Sequence, residues 1–344
     1  MNRKLEIFCT TWHVAHYWDL MNAMKDHANF TLVDNTARSW RDPRFLASRP
    51  LPSNLKFAAF YEPGKYDFAI LGLDQQALQP ELGKSRVYRE LNEAIQDIPK
   101  VVINHGSPIH PEYLKHDDMT DEDAKVECRR LIKDLVGDNL MVVNSYRAAE
   151  DWGWGYPIWH GMDANEWMTG IKEPRVITAL SPGGLGPYYN RECMNDLIGR
   201  LEERSIFIQW ARVTNKDTGE SPENYKEWLS RGLIYVDVSI ETPMNRARTE
   251  AMLSGCCIVQ VEGAHDLDRP VAQIGDKNKL RDYMVIVPNS PTQIADKVAE
   301  LMRDPKQAIA LGEEARRMAI ATFNRERYRD DWLKFIREKL NIAV

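Results

Sequence analysis

The sequence predicts a parallel α/β protein made of two Rossmann-like domains side by side. Strand-like apolar runs alternate with helical stretches along the whole chain, the pattern of βα units. At 344 residues the chain is long enough to bury two cores. No apolar run approaches the roughly 18 residues of a membrane-spanning helix.

In the first half the β-branched and aromatic runs place strands at 5–9, 30–34, 68–71, 101–103 and 141–143. Helices are expected over 16–27, 87–95 and 124–136. In the second half the strands fall at 176–180, 206–210, 233–240, 257–261 and 284–287, with helices between them. Three amphipathic helices close the chain at 290–302, 305–322 and 325–340, with turns near Asp304-Pro305 and Phe323-Asn324. The two halves divide near 167–174.

Composition narrows the function. Hydrophobic residues make up 43% and charged residues 28%, values of a soluble globular protein. The net charge of −6 argues against a large nucleic-acid footprint, which needs a basic surface, although local basic patches stay open. Five cysteines, an odd number without regular spacing, read as reduced core thiols of a cytosolic protein rather than a disulfide frame. Residues 1–11 lack the apolar region of a signal peptide, so a cytoplasmic location is expected.

The segment 241–259, ETPMNRARTEAMLSGCCIV, carries the chemistry. It follows the strand at 233–240 (LIYVDVSI) and reads as a turn at 243–245, a helix from Ala247 to Leu253, and Gly255 where that helix stops. A helix beginning there aims N–H groups and a positive dipole end above the sheet, and a phosphate is the natural guest. Glu250, one turn in, can accept hydrogen bonds from sugar hydroxyls, while Arg246 and Arg248 add cations. The plain alternative is a surface helix with ordinary charges.

The run Glu250-Ala251-Met252-Leu253-Ser254-Gly255-Cys256-Cys257-Ile258-Val259 resembles the donor-site segment of retaining GT-B glycosyltransferases, the family-4-like group. In that group two carboxylates separated by seven residues precede an Ala-Met-x-x-Gly-x-x-Val-Val tail. Here eight residues separate Glu241 from Glu250, and the strict spacing lands on Thr242. Asn144-Ser145, then Pro157, Gly161, Asp163 and Trp167, resembles the passage by which that group crosses between domains. Asp163 reads as the cap of a short helix in either case. The resemblance implies an acceptor domain over 1–170, a nucleotide-sugar donor domain over 171–322, and a helix over 323–344 that crosses back onto the first domain. Trp332, Phe335 and Ile336 would pack there.

Other residues gain roles by position. The strand at 101–103 ends in Asn104-His105-Gly106, and strand carboxyl ends in open α/β sheets face the ligand crevice. A histidine there can bind a sugar hydroxyl or assist proton transfer, or can be an ordinary loop histidine. His110, between Pro108 and Pro111, is a weaker candidate. The first βα turn, from Thr10 to His16, has no glycine, so a dinucleotide fingerprint is missing and a nicotinamide enzyme is disfavoured. His13 and His16 could also hold a metal at their i, i+3 spacing, but no further ligand cluster is evident. Gly183, Gly184 and Gly186 lie in a loop that a ligand could approach closely. Asp266-Leu267-Asp268 matches the metal-binding Asp-x-Asp of the other glycosyltransferase fold and is read as a solvated loop.

The resemblance therefore implies transfer of a sugar from a nucleotide-diphosphate donor, with UDP expected, to a hydroxyl acceptor. It implies retention of configuration, no metal and no other cofactor. His105 and Glu241 would act at the sugar. Gly183, Gly184, Arg191, Asn245, Arg246, Thr249 and Glu250 would bind the donor, with Arg246 or Arg212 standing in for a missing lysine. His13 and His16 would face donor sugar or acceptor. Three rival readings remain: a nucleotide-sugar epimerase of the same fold, a transferase acting on hydroxymethylated DNA bases, and a non-catalytic sugar-binding protein.

Overall fold

The computed structural model describes residues 3–33, 40–41, 49–108, 119–179, 189–210, 222–271 and 278–344. The expected strand ends at Asp34 and Leu180 lie outside the described residues, as do His110, Arg212, Gly183, Gly184 and Gly186. The chain divides into two compact units, Met1–Gly161 with Arg325–Val344, and Met162–Asn324. The change of unit thus comes earlier than residue 170. The Met162 N–H bonds to the Phe323 carbonyl at 2.7 Å, and Met162 bridges to Asn324, which ties this stretch to the second unit.

The first unit carries a seven-stranded sheet: β1 (Leu5–Cys9), β2 (Ala28–Val33), β3 (Leu55–Ala58), β4 (Phe68–Leu73), β5 (Lys100–Asn104), β6 (Leu140–Val143) and β7 (Tyr156–Pro157). Their order is β3-β2-β1-β4-β5-β6-β7, and every ladder is parallel. Helices α1 (Val14–Ala23), α2 (Gly83–Ala94), α3 (Asp121–Val136) and α4 (Tyr146–Trp152) connect them. All six residues of β4 are buried, as a central parallel strand covered on both faces requires. Sequence reading passed over β3 and β7, which are edge strands with no buried residue and so no continuous apolar run. The chain moves from β1 outward to β2 and β3, then returns to β4. The order therefore reverses between β1 and β4, where ligand crevices of open α/β sheets form.

The second unit has five parallel strands: β8 (Glu173–Thr178), β9 (Ile208–Trp210), β10 (Gly232–Asp237), β11 (Cys257–Val261) and β12 (Val285–Val287), in the order β12-β11-β10-β8-β9. Its helices are α5 (Arg191–Glu202), α6 (Pro222–Arg231), α7 (Arg246–Leu253), α8 (Pro291–Arg303) and α9 (Pro305–Thr322). The order reverses between β8 and β10. The strand expected over 233–240 stops at Asp237, because its Oδ1 accepts the Ser239 N–H (2.9 Å) and hydroxyl (2.6 Å) and turns the chain out of the sheet. Gly255, at φ +74°, ends α7. A Cβ on Gly312 of α9 would run into the Gly255 carbonyl, so only glycine lets α9 lie against that turn. Lys172 Nζ then donates to the Ser254 carbonyl at the end of α7 (2.7 Å) and to the Ser230 carbonyl (3.0 Å).

The last helix, α10 (Arg325–Lys339), belongs to the first unit. Tyr328, Trp332, Phe335 and Ile336 are buried there in one cluster with Leu5, Ile7, Phe30 and Trp18. Arg327 fixes the helix by donating to the carbonyls of Trp159 (2.8 Å) and His160 (2.6 Å). All five cysteines are buried and none forms a disulfide.

Candidate functional site

The end of β10 is a polar network folded under α7. Asp237 Oδ2 accepts from the Asn245 side-chain amide (3.0 Å), whose own oxygen caps α7 by accepting the Ala247 N–H (3.0 Å). Arg248 is 2% exposed, and its guanidinium donates to Gln260 Oε1 at 2.8 Å. Gln260 in turn donates to the carbonyls of Asp237 (3.1 Å) and Ser239 (3.2 Å). Burial raises the pKa of the Asp237 carboxyl above its usual range, and the charge of Arg248 offsets only part of that rise.

This geometry corrects several expectations. The α7 helix is no surface helix, since every residue from Arg248 to Leu253 is buried. Arg248 faces inward and offers no cation above the sheet. Asn245 occupies the first helical N–H groups with its own oxygen instead of leaving them for a ligand. Thr249 is fully buried, its hydroxyl turned back to the Asn245 carbonyl at 3.5 Å. These residues build the corner and do not line it.

Glu250 is buried as well, 6% exposed. Its Oε1 accepts Arg246 Nε at 2.9 Å and its Oε2 accepts the Tyr225 hydroxyl of α6 at 2.8 Å. Burial, then the nearby carboxylate, holds the Tyr225 phenol well above its ordinary pKa, so it remains a donor. The two bonds fix the orientation of the carboxylate. Tyr225, stacked on Trp228 with ring centroids 6.1 Å apart, had no motif to mark it in the sequence. Glu241 and Thr242 are half-buried in the loop after β10, where Met244 adopts φ +48°. Arg191 is exposed at the first turn of α5. Asp266 is buried, contrary to a solvated loop, while the exposed Asp268 pairs with Arg281 at 3.0 Å.

The first unit gathers histidines at its own sheet end. His13 and His16 follow β1, and His105 follows β5. His105 meets His13 edge to face at a centroid distance of 4.8 Å and His16 at 5.1 Å, and His160 joins at 5.9 Å from His16. His160 was passed over because it belongs to no strand end. His105 is 7% exposed; its Nδ1 lies 3.2 Å from the Asn144 amide nitrogen. Burial, then His13 and Lys84, lowers its pKa well below the ordinary 6.5. Desolvation, then Lys84, lowers the His13 pKa too, to about 4. Lys84 is held by the Trp12 carbonyl at 2.9 Å, and the Trp12 indole donates to Asp74 at 2.7 Å. The turn that replaces a glycine loop is therefore packed into the core, with Trp12 and Thr10 buried and only His13 exposed.

No protein-family model matches the chain, and no curated protein matches it by sequence. Solved structures match over nearly its whole length. Sucrose-phosphate synthase from Thermosynechococcus elongatus superposes with a TM-score of 0.65 at 12% identity, over 99% of this chain and 100% of that one. HepE from Anabaena, solved in complex with UDP-glucose, gives 0.62 at 13% identity, over 96% and 99%. A glycosyltransferase from Rickettsia africae gives 0.62 at 11% identity, over 99% and 100%. With two parallel α/β units and a last helix that rejoins the first, the chain has the GT-B fold of these structures.

Proposed function

We propose that the protein is a glycosyltransferase that takes a sugar from a nucleotide-diphosphate donor, UDP-linked, and passes it to a hydroxyl acceptor. The observation that carries this is Glu250. It stands one turn into the helix after β10, beside the order reversal of the second sheet, held from both sides by Tyr225 and Arg246. A carboxylate fixed in this way can accept the ribose hydroxyls without reorganising, which lowers the cost of binding. The likeness to HepE, solved with UDP-glucose, supports the donor class.

In this reading Arg191, with Gly183 and Gly184 of the preceding loop, faces the diphosphate and offsets the charge that builds on it as it leaves. Glu241 contacts the donor sugar. His105, neutral at pH 7, backs that sugar with its ring, with His13 and His16 on the acceptor side. We further propose retention of anomeric configuration, transfer without a metal, and action in the cytoplasm.

A thermal-shift screen against nucleotide sugars tests the donor class, since a ligand held by the native state alone raises the melting temperature. Stabilisation by a UDP-sugar, lost in Glu250→Ala with the fold intact, supports the reading. A Glu250→Ala protein that binds the donor as the parent does refutes it. The anomeric form of the product, read by proton NMR, tests retention, and unchanged turnover in EDTA tests metal independence.

A further inference from the structure

Behind His105, in the first unit, lies a cavity of about 10 Å³ lined by His16, Tyr17, His105, Asn144, Tyr328 and Trp332 among others. Three buried polar atoms border it with no hydrogen-bond partner among the described residues: His105 Nε2, the Tyr17 hydroxyl and Trp332 Nε1. Tyr17 and Trp332 are each 1% exposed. Buried polar groups are nearly always paired, so three orphans around one small space point to a shared partner. The volume is about that of a single water, and a buried water typically makes two to four hydrogen bonds.

We propose that this cavity holds one ordered water through which Tyr17 and Trp332 fix the tautomer and orientation of His105. The Asn144 amide donates to His105 Nδ1. A neutral ring that accepts at Nδ1 carries its proton on Nε2, and burial keeps this ring neutral. The Trp332 indole is a donor only. Two N–H groups thus point at the space, which suits a water oxygen and repels a cation. The water accepts both and returns a hydrogen to the Tyr17 oxygen, whose phenol burial keeps protonated. The water joins α1, the end of β5 and α10, so the last helix of the chain sets the posture of a histidine more than two hundred residues away in sequence.

The site is defined without any substrate, so its test is independent of the transferase reading. A crystal structure at a resolution that shows ordered water, with a bromide-soaked twin, is paired with nitrogen NMR of the histidines. Expected are one peak within hydrogen-bond distance of all three atoms, no bromide signal there, and a proton on His105 Nε2. Tyr17→Phe and Trp332→Phe, each folded by melting curve, are expected to speed exchange of that proton about three- to tenfold, the effect of losing one hydrogen bond. An empty cavity, a bromide peak, a proton on Nδ1, or unchanged exchange in both variants would overturn the proposal.

Discussion

At the end of the second sheet, Asp237, Asn245, Gln260 and Glu250 all bond within the protein, and a buried guanidinium sits among them. At the end of the first sheet, four histidine rings crowd together near the Lys84 ammonium, and three buried polar atoms face a cavity. The contrast is physical. This network of charged and amide groups, bonded except at Arg248 Nε, keeps its shape before any ligand arrives, because each low-dielectric bond would be costly to leave unmade. In the histidine cluster burial keeps His13 and His105 neutral, so these two take up charge only on acidification. The first arrangement suits a rigid anchor and the second an adaptable contact.

The largest effect should come from breaking the closed network. Arg248→Met leaves Asp237 buried without its cation and should cost about 3–5 kcal/mol, measured by denaturant unfolding. Adding Asp237→Asn should cost less than the sum of the two changes, since the partners are coupled. A loss under 1 kcal/mol for the single variant would show that the guanidinium is dispensable. Next comes the packing that backs this corner. Gly312→Ala forces α9 off the Gly255 turn and should cost about 1–3 kcal/mol, with no matching effect on the first unit in hydrogen exchange.

The histidine end should declare itself through pH. The folded-state pKa of His105 lies below its unfolded value of 6.5, so below that pH the unfolded chain binds a proton that the folded chain refuses. Stability should therefore be unaffected by this group above about pH 7 and fall on acidification, by at most about 1.4 kcal/mol per pH unit. His105→Gln should flatten the slope between pH 6.5 and 5; an unchanged slope would remove the histidine from the account. The smallest effect is Tyr225→Phe. Losing one bond to Glu250 should weaken nucleotide affinity about two- to tenfold in calorimetry, with melting shifted by only a few degrees. Equal affinity would mean that the Tyr225 bond does not help to hold the carboxylate.

Much of the fold was legible because buried parallel strands write themselves as apolar runs. The bounds read for the strands at 5–9 and 257–261 coincide with β1 and β11. The strand read as 233–240 ran three residues long, since nothing local shows that Asp237 will fold back onto Ser239. Edge strands β3 and β7, half in water, left no such trace. Within the candidate site the loop-then-helix order around Glu250 was readable from turn and helix formers. The inward aim of Arg248, the capping role of Asn245, and the arrival of Tyr225 from another helix were not.

By itself, then, the sequence determined the alternation of strands and helices, the parallel class, and the helix that carries Glu250. Those follow from the spacing of apolar residues and the turn chemistry between them, which act over a few residues. Only the tertiary structure decided which polar side chains find partners. Whether Arg248 meets Gln260, or Trp332 comes to face the same cavity as His105, depends on helices and strands brought together from distant parts of the chain, and no local pattern encodes that meeting.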